Sequence, residues 1–260
     1  MCTVVILRRP THEWPLILGA NRDEMLIRPW KPPARHWPDR PDVMAGLDEL
    51  AGGTWMGLND TGVVACILNR HGTLGPQDGK RSRGELVLEA LDHADANDAA
   101  AVLSDISLRA YRPFNMIIAD NRDAWWLALR DGATRMYLER IPDGLSMFTA
   151  GERNDPTESR IATFLPKFEH ASPPDPTNGQ WDTWAGLMGT TDAKDSPYQA
   201  MTFKLDNGFG TSSSSLLALP SIAATHDRQT RPPWLFAAGR PDSVPYAPLS
   251  LFPMPVDKIT

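Results

Sequence analysis

Apolar and polar positions over the first twenty residues form two β-type runs parted by a turn. Residues 3–7 are β-branched and apolar, residues 14–20 repeat that character, and Arg8-Arg9-Pro10-Thr11-His12-Glu13 between them is polar with a proline. Two such runs joined by a polar turn predict an opening hairpin. Residues 28–42 are proline-dense and aperiodic, which predicts an extended surface loop. Residues 43–46, 54–58 and 63–68 predict further short strands, with turns at Gly52-Gly53 and Asn59-Asp60-Thr61-Gly62. Helical spacing predicts helices over 84–94 and 97–109, the second capped by Asn97. Residues 114–119, 124–129 and 135–139 predict a meander. A helix over 155–168 is entered through Asp-Pro-Thr-Glu, with proline at its start. Residues 181–188 predict another helix, and 210–219 and 233–237 late strands.

Antiparallel hairpins in runs and helices in consecutive pairs do not give the βαβα rhythm of a parallel sheet. They predict an α+β chain with two antiparallel sheets and helices outside them. No period of 20–50 residues repeats, which sets aside solenoids and propellers. At 42% hydrophobic and 22% charged residues the 260-residue chain has the composition of a folded protein. Its length predicts one domain of generous size over 1–240, with a Pro-rich tail over 241–260 on the surface.

A net charge of −6 argues against a basic nucleic-acid surface and a polybasic membrane patch. The apolar runs are too short to span a bilayer, and the start of the chain has neither a charged lead nor an apolar signal core. A cytoplasmic location is the expectation. Cys2 and Cys66 alone make no disulfide framework, and no Cys or His spacing suggests a zinc site.

Cys2 is the most informative residue. Cysteine is small enough to permit removal of the initiator methionine, which leaves a residue holding both a thiol and a free α-amine. The thiolate attacks a carbonyl, and the amine, with a reference pKa of roughly 7.7–8.0, takes and returns the proton. The hairpin strengthens this reading. A turn centred near residues 11–12 sets Cys2 across from Asn21, within a residue or two. There the apolar strand gives way to Asn21-Arg22-Asp23-Glu24. Arginine beside a thiol lowers its pKa, and a carboxylate holds an ammonium. A solvated strand end with an internal Arg–Asp pair is the plainer alternative.

Met1-Cys2-Thr3, Leu18-Gly19-Ala20-Asn21-Arg22-Asp23-Glu24 with Arg28-Pro29, Ala45-Gly46-Leu47-Asp48, Gly52-Gly53-Thr54-Trp55 and Arg83-Gly84-Glu85-Leu86-Val87 stand in order along the chain. Phe114-Asn115 and Gly208-Phe209-Gly210-Thr211 follow. Over about residues 1–220 this resembles the NRDE family, the transport and Golgi organisation protein 2 group, which is similar to N-terminal nucleophile hydrolases of the penicillin V acylase and bile salt hydrolase type. The resemblance implies a four-layer αββα sandwich. It implies Cys2 as nucleophile, Asp23 as partner of its amine, Arg22 as a charge beside the thiol and Asn69 as oxyanion donor. Asn154 is then either a second polar contributor or the cap of the helix after it. Asn21 and Trp55 are the candidate substrate contacts, with residues 30–37 as a cover over Trp55. The acylases carry an arginine where Ala20 stands, and Arg22 shares that strand face. Family relatives carry an arginine where Ser212 stands.

The first expectation is therefore an N-terminal cysteine amidohydrolase that cleaves a small linear amide through an acyl-enzyme and needs no cofactor. The resemblance also implies haem trafficking, so a haem carrier is the alternative, and an inactive scaffold is the third reading. Gly75–Ser82 mimics a phosphate loop at the wrong spacing and is set aside.

Overall fold

The computed structural model describes residues 2–250. One sheet of six strands comprises β1 (Thr3–Arg8), β2 (Leu16–Met25), β10 (Gly144–Phe148), β11 (Phe209–Leu219), β12 (Trp234–Ala237) and β13 (Ala247–Pro248), in the order β10-β1-β2-β11-β12-β13. The other has seven strands in sequence order: β3 (Trp30–Ala34), β4 (Val43–Asp48), β5 (Met56–Asn59), β6 (Val64–Asn69), β7 (Phe114–Ala119), β8 (Ala124–Leu129) and β9 (Tyr137–Arg140). Every strand pair is antiparallel.

Side-chain alternation divides the core into layers. Val4, Ile6, Leu16, Leu18 and Leu217 meet Met56, Leu58, Cys66, Ile117 and Trp126 between the sheets. The outer face of the seven-stranded sheet packs on α1 (Gly84–Leu91) and α2 (Ala96–Ser104) through Leu86, Leu91, Ala99 and Leu103. The outer face of the six-stranded sheet packs on α3 (Ser159–His170) and α4 (Asp182–Met188) through Ile161, Phe164, Phe168 and Trp184. The architecture is the αββα sandwich expected from sequence. A short α5 (Ile222–Arg228) links β11 to β12 and buries only Ala224. No helix among the described residues is long and apolar enough to cross a membrane.

Several sequence expectations need correction. The loop at 28–42 contains β3, paired with β4. Pro32 and Pro33 fit there because β3 is an edge strand and the register slips between Lys31 and Ala34. The cap of α2 is Asp95, whose side chain accepts the Asp98 N–H at 2.9 Å, while Asn97 bonds to Asp123 and Trp125. Helix α3 starts at Ser159, because the Asp155 carboxylate closes a turn on Thr157 instead of opening a helix. Strands β10 and β13 escape the hydrophobic pattern, β13 because it has only two residues. Within the tail, β13 pairs with β12, and Tyr246 packs on the outer core and bonds Ser214 at 2.6 Å. Residues 251–260 of that tail lie outside the described residues.

The opening hairpin forms, with its register one residue on from the expected one. Arg9 N–H donates to the Pro15 carbonyl at 2.8 Å, which centres the turn on His12. Thr3, rather than Cys2, therefore pairs with Asn21, and Cys2 lies just beyond β1 near Arg22 and Asp23.

Candidate active site

Strand β2 splits the Asn-Arg-Asp motif between two layers. Leu16 and Leu18 face the inter-sheet core and Ile17 the outer helices, so Arg22 follows the former and Asn21 and Asp23 the latter. On the outer side the Asp23 carboxylate accepts from Thr211 Oγ1 at 2.8 Å and from Arg160 Nη1 at 3.1 Å, and Arg160 Nη1 also donates to Thr3 Oγ1 at 2.7 Å. Both charged side chains are buried, Arg160 at 1% and Asp23 at 0% exposure. Asn21 Nδ2 donates to the Met188 and Met201 carbonyls at 2.9 and 2.8 Å. Its amide nitrogen ties down the outer layer.

On the inner side the Cys2 thiol meets the backbone of Asp23. Sγ accepts the Asp23 N–H at 3.4 Å and donates to the Asp23 carbonyl at 3.6 Å. The Arg22 guanidinium lies 4.4 Å from the centroid of the Trp55 ring and donates to Ser212 Oγ at 3.0 Å, and Ser212 donates back to the Arg22 carbonyl at 3.1 Å. A register shift between Thr211 and Ser213 makes this possible, since the extra residue turns Ser212 toward Arg22. Ser212, at the position where the resemblance implies an arginine, thus anchors an arginine that comes from β2.

Small residues explain why the other motifs converge here. A Cβ on Gly46 would lie 2.3 Å from the Trp55 ring, so only glycine lets the indole lie against β4. A Cβ on Gly53 would lie 2.6 Å from the Gly84 backbone, and Thr54 N–H donates to the Gly84 carbonyl at 3.1 Å. The Gly-Gly-Thr-Trp and Arg-Gly-Glu-Leu stretches are therefore one contact between a loop and the start of α1. Trp30 packs edge-on against Trp55 at 5.7 Å, as a cover from the 30–37 segment would.

Two lobes open beside Cys2. One has a volume of about 450 Å³ and is walled by Arg22, Trp55, Lys80, Arg83 and Arg112. The other, also about 450 Å³, is walled by Met25, His71, Leu74, Tyr198 and Phe209. Cys2, Asp23 and Asn69 line both. Asn69 ends β6, and among the described residues its side-chain amide has no hydrogen bond, so its donors are available to the cleft. Asn154 is elsewhere. In a left-handed conformation (φ 53°) it accepts the Met147 N–H at 2.6 Å and braces the turn after β10. It neither reaches the cleft nor caps α3.

Burial raises the Cys2 thiol above its ordinary pKa, the Asp23 charge raises it further, and Arg22 opposes both weakly. The expected depression by Arg22 is therefore outweighed by desolvation. Burial also lowers Arg22, and it lowers Arg83 to about 10. Cys66, sunk between the sheets, is pushed up to about 12 by burial. Sequence reasoning missed Arg160, which carries no local motif, and gave no role to Thr211 or Arg83, which it met only as letters of longer motifs. The segment from Gly75 to Ser82, set aside as a failed phosphate loop, is with Arg83 a wall of the cleft.

Residues 1–163 match the family model described as Transport and Golgi organisation 2. Over 112 residues the chain is 40% identical to the human Transport and Golgi organization protein 2 homolog, a stretch that is 40% of this chain and 38% of the human protein. Among solved structures, the Caenorhabditis elegans N-acylethanolamine-hydrolyzing acid amidase ortholog superposes with a TM-score of 0.56 at 13% identity, over 83% of this chain and 92% of that one. A mutant conjugated bile acid hydrolase from Clostridium perfringens gives 0.50 at 10% identity, over 96% of each chain. These likenesses show a shared N-terminal nucleophile hydrolase fold. With more than half of its length matched by the family model, the chain belongs to the Transport and Golgi organisation 2 family, built on that fold.

Proposed function

We propose that this chain, after loss of Met1, hydrolyses a small linear amide with Cys2 as nucleophile. The α-amine of Cys2 takes the thiol proton, and the sulfur adds to the amide carbonyl carbon. Asn69 donates to the oxyanion that forms, a contribution of about 2.7–4 kcal/mol in such sites. The C–N bond breaks as the ammonium returns its proton to the leaving nitrogen, giving an amine and a thioester. Water, deprotonated by the same amine, attacks the thioester, and the carboxylic acid and the thiol are released. Asp23 holds the ammonium form, and Arg22 favours the thiolate. No cofactor enters these steps. With Cys2 and Cys66 both free thiols, we assign the protein to a reducing compartment, the cytoplasm.

The observation that carries this reading is the position of Cys2. The sulfur is fixed by the Asp23 backbone where two lobes meet, beside an amide with spare donors. Intact mass is expected to lack Met1, and iodoacetamide to label one thiol quickly. Cys2→Ser should cut amide turnover by at least about 10³-fold, and Asn69→Ala by about 10²–10³-fold in kcat. A fully active Cys2→Ala protein ends the proposal.

A second reading, haem carriage, draws on the apolar second lobe, which Met25 lines with Cys2 as thioether and thiol donors, while the His71 Nε2 there is bonded to Glu158. A haem titration with no shift of the Soret band removes it. Haem uptake that survives in Cys2→Ser, with no amide turnover in the parent protein, favours it over hydrolysis.

A further inference from the structure

The two lobes differ in how their charges are matched. In the first, each carboxylate faces an arginine: Asp48 lies 2.8 Å from Arg28, Glu24 lies 4.0 Å from Arg28, and Asp23 is paired from behind by Arg160. Four cations of that lobe are held only by uncharged groups. Arg22 donates to Ser212 and lies on Trp55, and Arg83 donates to Thr73 and to the Pro113 carbonyl. Arg112 donates to the carbonyls of Gly72, Leu74 and Gly75, and Lys80 to that of Arg109. Among the described residues none of the four has a carboxylate within salt-bridge distance. The lobe therefore carries positive charge that this acidic chain leaves uncompensated. In the second lobe Arg70 is turned onto Glu152 at 2.6 Å, and Met25, Leu74, Tyr198 and Phe209 offer apolar surface.

From this asymmetry we infer that the cleft takes an amphiphilic amide, with an apolar acyl chain in the second lobe and an acid group on the amine side in the first. The inference rests on the acyl-transfer reading and names its substrate class. The orientation follows from the chemistry. The acyl group stays on sulfur after the amine leaves, so it belongs where apolar contact retains it. The amine departs, and water enters, through the polar lobe. Carboxylate and phosphate satisfy the same four donors, since both are compact oxyanions.

The test compares amides of one acyl chain: decanoyl-glycine and decanoyl-phosphoethanolamine against neutral decanoyl-glycinamide and decanoyl-ethanolamine. Decanedioic acid mono-ethanolamide carries its acid at the acyl end instead. Turnover is read on the processed protein and binding on Cys2→Ala by calorimetry, so the cleft is probed with and without chemistry. The acid-bearing amines are expected to exceed the neutral ones by about tenfold or more in kcat/KM and in affinity. That ratio should shrink in 0.5 M salt and in Lys80→Glu, and shrink also in Arg83→Gln if that variant folds. The two acids ranked against each other identify the head group. Anion-selective binding with no turnover of any amide retains the ligand class and ends the acyl-transfer reading. Equal or better handling of the neutral amides, or preference for the acyl-end acid, overturns the inference and leaves the Cys2 chemistry standing.

Discussion

Strand β2 carries two arginine environments on opposite faces, three residues of one motif feeding both. On the outer face Arg160 meets Asp23, charge against charge, with Thr3 and Thr211 completing the bonds. On the inner face Arg22 meets a serine hydroxyl and an indole ring, with no carboxylate in salt-bridge range among the described residues. The first arrangement is a buried ion pair, closed off from solvent. The second keeps a cation poised over a cleft and next to a thiol. Adjacent motif residues therefore need not act together: alternation along a strand gives Asn21 the work of mooring the outer layer and leaves Arg22 to the inner face, while Asp23 serves both, its backbone against the Cys2 thiol and its carboxylate in the Arg160 pair.

The largest effect is expected at the closed pair. Arg160→Met takes the guanidinium from a buried carboxylate and should cost about 3–5 kcal/mol, read as a lower urea midpoint. Asp23→Asn added to Arg160→Met should recover much of that loss, because the buried charge goes with its partner. The double variant should nonetheless lack amide turnover, which separates the mooring of β2 from the hold on the Cys2 amine. Additive losses in the double variant would show that Asp23 and Arg160 stabilise the layer separately.

The next effect concerns the two thiols. Cys66 has a folded pKa of about 12 against an ordinary 9.0. Below pH 9 it is protonated both folded and unfolded and adds no pH dependence. Above pH 9 the unfolded chain ionises first, so the stabilising difference is lost as pH rises from 9 through 12, by at most about 4 kcal/mol. Cys66→Ala should flatten that alkaline slope in urea melts. At neutral pH Cys66 should resist iodoacetamide, while Cys2 labelling should accelerate as pH rises. Loss of Met1 should shift the Cys2 profile to lower pH, because a charged α-amine then adjoins the thiol. A Cys2 profile indifferent to processing would remove the amine from its neighbourhood.

Much of this site is legible because it is local. A hairpin register places Cys2 near residues 21–23 from turn length alone, with an error of one residue. The face each motif residue takes follows instead from alternation along β2, with Arg22 in line with Leu16 and Leu18, and Asn21 in line with Ile17. Gly46, Gly53 and Gly84 stand out as letters, but their reason is that a Cβ there would come within 2.3–2.9 Å of the Trp55 ring, the Gly84 backbone and the Thr54 backbone respectively, which no spacing reveals. Arg160 and Thr211 lie 137 and 188 residues from Asp23 along the chain. Nothing in the chain near either residue announces the contact. The wall from Gly75 to Arg83 is irregular, so periodicity is silent about it.

The smallest effect tests the open arginine against the closed one. Arg22→Met keeps the length of the side chain and its apolar stem on Trp55 but removes the charge. Loss of the cation–π contact and the Ser212 bond should cost about 0.5–2 kcal/mol, and relief of a desolvated guanidinium offsets part of it. Urea midpoints should therefore move much less than in Arg160→Met. The chemistry should respond in the other direction. Arg22 lowers the Cys2 pKa, so its removal leaves less thiolate at pH 8 and slows iodoacetamide labelling. Ser212→Ala should reproduce part of this slowing by freeing the guanidinium to swing away from the thiol. A stability loss in Arg22→Met as large as that in Arg160→Met, with labelling unchanged, would make both arginines moorings and erase the distinction between the two faces of β2.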